Sequence, residues 1–185
     1  MTVPSPGGTP LRDLAVPDEP AEPRRRSGAL EDVVAVLAVY VALGVLGAVV
    51  WWLLFDPAVY TKAANGGLGM GEAQLGRRFD ADGWYAVIAA VGGLLSGTAV
   101  SWWRGRDPLL TSALVLGGSL VAAAVVAVLG GWLGPPDPQS VVASVDVGDT
   151  VPTQLAVDAT VCYLVWPVTA LIGCLIVLWS PPDPR

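Results

Sequence analysis

The run VVAVLAVYVALGVLGAVVWWLLF, residues 33–55, decides the fold. It contains no Asp, Glu, Lys or Arg, and as a helix it rises about 34 Å, enough to cross a hydrocarbon layer of roughly 30 Å. A helix is what such a run must form there, because lipid offers no partner for an unpaired backbone amide. Helices of a soluble bundle keep one polar face at a 3.6-residue period, whereas this run is apolar all round. Three further stretches repeat the pattern: Trp84–Trp103, Leu109–Leu133 and Ala159–Trp179. The predicted fold is an all-α membrane protein, with four transmembrane helices in two antiparallel hairpins and a small extracytoplasmic loop/β cap. Its parts are a tail over 1–29, a membrane domain over 30–180 with outer loops 56–83 and 134–158, and a short tail over 181–185.

Composition agrees with this. Of 185 residues, 54% are hydrophobic and 14% charged, and the mean hydropathy is +0.60, above the range of water-soluble domains. Seven of the eight tryptophans (51, 52, 84, 102, 103, 132 and 179) fall at predicted span ends, where an indole meets both hydrocarbon and water. Only Trp166 lies well inside a span.

Orientation follows from the ten cationic residues. With the N-terminus inside, Arg12, Arg24, Arg25, Arg26, Arg104, Arg106 and Arg185 are cytoplasmic, and only Lys62, Arg77 and Arg78 lie outside. The positive-inside rule therefore predicts a multi-pass plasma-membrane protein with both termini in the cytoplasm. The tail over 1–29 is rich in proline and poor in apolar residues, which predicts a disordered segment. The first span is too long for a secretory h-region and no A-x-A site follows it, so it reads as an uncleaved signal-anchor.

The chemistry is narrowed by what is missing. There is no histidine, so imidazole-based catalysis, including activation of Ser96 in Gly93-Leu-Leu-Ser-Gly97 as a nucleophile, is excluded. Cys162 and Cys174 lie on one predicted helix about 18 Å apart, too far for a disulfide. A net charge of −6 gives no basic face for phosphates, so no nucleic-acid partner is expected. No span carries a charged residue, the usual mark of an ion-coupled transporter. The reading is non-enzymatic, with no cofactor and no metal site.

Other residues carry expectations about shape. Asp107-Pro108 reads as an N-cap and first helical residue, and Asp82 and Asp158 as caps for spans two and four. Small residues at four-residue spacing, Ala89, Gly93, Gly97 and Ser101 on span two and Ser119, Ala123, Ala127 and Gly131 on span three, are expected to face each other across the hairpin. Pro167 is expected to kink span four, with Tyr163 and Trp166 beside it as a candidate groove. In the outer loops, Val59–Ala63, Val141–Val147 and Thr150–Val157 read as short strands, and Asp80 and Asp82 are candidate contact residues. Partners are the lipid bilayer and a membrane-protein partner or a second copy.

Four segments also carry a resemblance: Trp51–Tyr60, Phe79-Asp-Ala-Asp-Gly-Trp-Tyr85, Trp132-Leu-Gly-Pro-Pro-Asp-Pro138 and Leu164-Val-Trp-Pro167. Over most of 30–180 the chain resembles an uncharacterised family of four-span integral membrane proteins from actinobacteria, a domain of unknown function, which implies four spans and a Pro-rich tail but no activity. The expected role is an accessory or scaffold component of the cell envelope. The alternative is a small permease-like subunit that binds a lipid or apolar solute.

Overall fold

The computed structural model describes residues 25–104 and 107–180, with side chains from Leu30 onward. The remainder of the proline-rich tail, the C-terminal tail 181–185, and Gly105 and Arg106 lie outside the described residues. Four long helices carry the apolar runs: α1 (Arg25–Leu54), α2 (Glu72–Arg104), α3 (Pro108–Leu133) and a last span built of a 3₁₀ segment, Thr160–Leu164, followed by a 15-residue helix over Val165–Trp179. The fold is that of a multi-pass membrane protein.

Three helices depart from the bounds expected. α1 begins at Arg25, so the last five residues assigned to the tail are helical. α2 begins twelve residues before Trp84, because Glu72–Gly83 is dominated by helix formers and needs no apolar content where it stands clear of lipid. Its 33 residues extend about 50 Å, well beyond the hydrocarbon thickness. In the last span Pro167 does not interrupt the α-helix. It is the third residue of the closing helix, in the first turn, where its missing N–H would have had no intrahelical partner.

Asp107 behaves as its position predicts. Its Oδ1 accepts from the amides of Leu109 and Leu110, both at 3.1 Å, and Pro108 opens α3.

Between α1 and α2 the chain forms β1 (Val59–Lys62) and β2 (Leu68–Gly69). The turn between them is made at Gly66, whose φ of +82° suits glycine. After α3, residues Pro138–Val141 form one helical turn, here α4, and Val142–Ser144 a 3₁₀ turn. The strand expected over Val141–Val147 is therefore absent. Asp137 caps that turn through the Gln139 amide at 2.9 Å, with Pro138 in first position, and this start signal outweighs the strand preference of the valines. The second expected strand shortens to β3 (Thr150–Pro152). The three strands make an antiparallel sheet in the order β2-β1-β3, with Tyr60 opposite Val151. The closing helix, Val165–Trp179, is α5.

Consecutive spans run antiparallel as expected, but the small-residue stripes do not meet across the α2–α3 hairpin. The extensive contacts are α1 with α3 and α2 with α5, each pair parallel, since positions advance together: Tyr40 meets Gly118 and Trp51 meets Gly130, while Gly93 meets Trp166 and Gly97 meets Ala170. The small-residue stripe of α2 thus abuts α5, not α3. On α3 the face turned to α1 is offset by one residue from the expected stripe and runs through Gly118, Ala122, Val126 and Gly130. Ser119 and Ala123 are buried, Ala127 and Gly131 half-buried. A short connection fixes which ends are adjacent but not which faces meet; facing is set by where backbones can approach, and that needs glycine opposite bulk or backbone.

A Cβ at Gly97 would run into the Ala170 carbonyl oxygen, while one at Gly117 meets nothing. Gly97→Ala is expected to lower the stability of the detergent-solubilised protein by about 1–3 kcal/mol, and Gly117→Ala to leave it unchanged or raised. Denaturant unfolding followed by tryptophan fluorescence reads both; equal behaviour would contradict the close α2–α5 approach.

Candidate functional site

Two regions could act on something outside the chain: the junction between cap and bundle, and a groove along the membrane face of α1 and α2.

At the junction, the buried Trp51 donates its Nε1–H to the Ala81 carbonyl at 2.9 Å. Its ring meets Tyr85 edge-on at 5.3 Å, and Tyr85 meets Tyr163 in the same manner at 5.9 Å. Tyr85 also donates its hydroxyl to the Ala123 carbonyl at 3.2 Å, so one aromatic row links α1, α2, α3 and the start of the last span. Residues 153–159 then cross the top of the bundle as a strap. Leu155 is fully buried against Gly131 and Gly134 at the end of α3, and Thr153 donates its amide to the Ala58 carbonyl at 2.8 Å.

The strap is fastened by α2. Asp82 was expected to cap its own span, but α2 starts ten residues earlier, and its carboxylate instead receives the amides of Asp158 at 3.0 Å and Ala159 at 3.1 Å. Asp158, expected to cap span four, turns its carboxylate to Arg78 Nε at 2.9 Å. Asp80, two residues away on α2, is exposed. The other two cations on the cap side are also engaged: Arg77 lies 3.1 Å from Asp56, and Lys62 donates its Nζ–H to the Val145 carbonyl at 2.6 Å. Between strap, sheet and α2 lies a polar cavity of about 300 Å³, with Tyr60, Arg78, Asp137, Gln139 and Gln154 in its wall.

The second region is apolar. Because α1 commits its small residues to α3 and α2 commits its own to α5, the α1–α2 seam stays open as a groove of about 580 Å³. Val39, Leu46 and Leu54 form one wall and Trp84, Val91 and Leu95 the other. Trp166 closes the back, its benzene edge lying against Gly92 and Gly47. Of the three candidate groove residues only Trp166 lines it; Tyr163 belongs to the aromatic row and Pro167 is buried. Ser96 is in the lining too, but its hydroxyl is donated to the Gly93 carbonyl at 3.1 Å. At the end away from the cap, Asp32 of α1 pairs with Arg104 of α2, whose guanidinium stands 4.6 Å over the Trp103 ring.

Sequence reasoning placed a candidate groove at Trp166 but missed its walls on α1 and α2 and the Arg77–Asp56 pair. The available signal was spacing: Arg77, Trp84 and Val91 recur every seven residues, hence on one face of a helix, but only if the helix is known to reach back past Arg77.

Chemically, both regions are suited to binding. Among the described residues no cluster of three or more acidic or cysteine side chains is placed to hold a metal, and Cys162 and Cys174 are buried free thiols. Comparison with protein-family models, curated proteins and solved structures finds no match to this chain.

Replacing Asp82 by Ala leaves two strap amides without their acceptor. A stability loss of about 1 kcal/mol is expected, with faster hydrogen exchange at 158–162, and no change in either for Asp80→Ala. Unaltered exchange in Asp82→Ala would refute the fastening role.

Proposed function

We propose that this chain is a non-enzymatic multi-pass protein of the plasma membrane, with both termini in the cytoplasm, that acts as an accessory or scaffold component of the cell envelope. The observation that carries this reading is the fastened cap. Its strap is held by Asp82 and Arg78 from α2, so the polar cavity is presented to the exterior on a rigid support, and a partner docking there gives up little ordering entropy. Orientation rests on the cytoplasmic weighting of arginine.

A second reading, a small permease-like subunit holding a lipid or apolar solute, is favoured by the groove in front of Trp166. Its size and apolar lining fall within the range of small-molecule sites.

Ala64 is exposed in the cap. In intact cells Ala64→Cys is expected to react with a membrane-impermeant maleimide, while Thr2→Cys reacts only after permeabilisation; the reverse pattern would overturn the orientation. For the scaffold role, the tagged protein drawn from its native membrane in mild detergent is expected to carry a stoichiometric membrane-protein partner, lost on Gln139→Arg in the cavity wall. Recovery of the chain alone would remove the scaffold reading.

A further inference from the structure

We propose that the α1–α2 groove holds one phospholipid with a phosphoethanolamine headgroup, one of its two acyl chains along the groove and its headgroup on the Arg77–Asp56 pair. This rests on the second reading above and names the ligand class.

The groove has the dimensions of a chain. It runs beside the helix axes from Leu54 and Trp84 at the cap end to Val39 and Val100, about 23 Å at 1.5 Å per residue. Spread over that length, about 580 Å³ corresponds to a mean section of about 25 Å², one extended hydrocarbon chain wide. An α-helix with its side chains has about four times that section, so a partner's transmembrane segment does not enter. In the lining the Ser96 hydroxyl is satisfied within its own helix, while the buried indole Nε1–H of Trp166 has no partner among the described residues.

The headgroup follows from the charges at the rim. Asp56 comes two residues after Leu54, and Arg77 stands two helical turns outward of Trp84 on the same face of α2, about 10 Å along the axis, so the pair they form lies beyond the cap end of the groove. They lie 3.1 Å apart, with 52% of the Arg77 side chain and 73% of the Asp56 side chain exposed. Such a pair is complementary to a zwitterion: guanidinium for a phosphate, in the planar fork geometry that suits it, and carboxylate for a cation that can donate hydrogen bonds. A primary ammonium does so. A quaternary choline has no N–H to donate, and a glycerol headgroup brings no cation to Asp56.

The test offers the purified full chain equal amounts of phosphatidylethanolamine, phosphatidylcholine and phosphatidylglycerol with identical acyl chains, and counts bound lipid by native mass spectrometry. One phosphatidylethanolamine is expected to be retained in preference to the others. Arg77→Gln and Asp56→Asn should each lower its retention about three- to fivefold and erase the preference. Val91→Trp and Leu95→Trp fill the groove from positions 55% and 65% exposed, so they leave the packed core untouched, and they should displace lipid of every kind at unchanged melting temperature. Equal retention of the three lipids, still blocked by Val91→Trp and Leu95→Trp, would overturn the headgroup assignment and leave a lipid groove. Lipid retention indifferent to both tryptophan variants, or a protein segment crosslinked at Val91, would overturn the proposal and the lipid reading together.

Discussion

The contact on which the rest depends is the approach of α2 to α5 at Gly93 and Gly97. Between helices in lipid there is no hydrophobic gain from burial, because the surroundings are as apolar as the interface; association comes from van der Waals packing and from hydrogen bonds that close approach permits. Gly93 lets α2 settle on Thr169 and the Trp166 carbonyl, and Gly97 lets it settle on Ala170. Thr169 then shares its hydroxyl with the Ala89 carbonyl across the seam at 3.3 Å, besides bonding within its own helix. With that seam closed, Trp166 is carried to the back of α2 and its indole becomes the floor between α1 and α2. The groove exists because packing was spent on the other two seams.

The cap depends on the same helix. α2 does not stop at the membrane surface but continues as a polar rod, and the carboxylate and guanidinium that hold the strap, Asp82 and Arg78, stand on that extension. Gln74 adds a third tie, its side-chain oxygen accepting from the Val59 amide at 3.2 Å. A three-stranded sheet of nine residues would be marginal alone in water. Here it is braced by the Leu155 plug and by the bonds from α2.

Much of this was legible in the sequence, and the boundary of legibility has a physical basis. The four spans could be read because hydrocarbon imposes one demand, apolarity over about twenty residues, that composition reveals directly. The Asp107-Pro108 start could be read because a cap is a local device. Facing could not: Ala89, Gly93, Gly97 and Ser101 announce a close approach but not its partner, and two stripes one residue apart on α3 are indistinguishable in a sequence so rich in Ala and Gly. Pro167 was misjudged because a proline breaks or opens a helix according to where the helix begins. Asp82 was misjudged for the matching reason, since a carboxylate inside a helix can serve the start of another. In the third loop the valines argued for strand, and Asp137-Pro138, four residues long in its effect, prevailed.

The trans fastening of the strap also bears on how the last span is started. The amides at which the last span begins are received by Asp82, a residue 76 positions before Asp158, and no side chain caps either the 3₁₀ segment or α5 locally. α3 carries its own start signal in Asp107, whereas the entry of the last span is completed by a residue of α2: the second helix is the template and the last helix is the clasp.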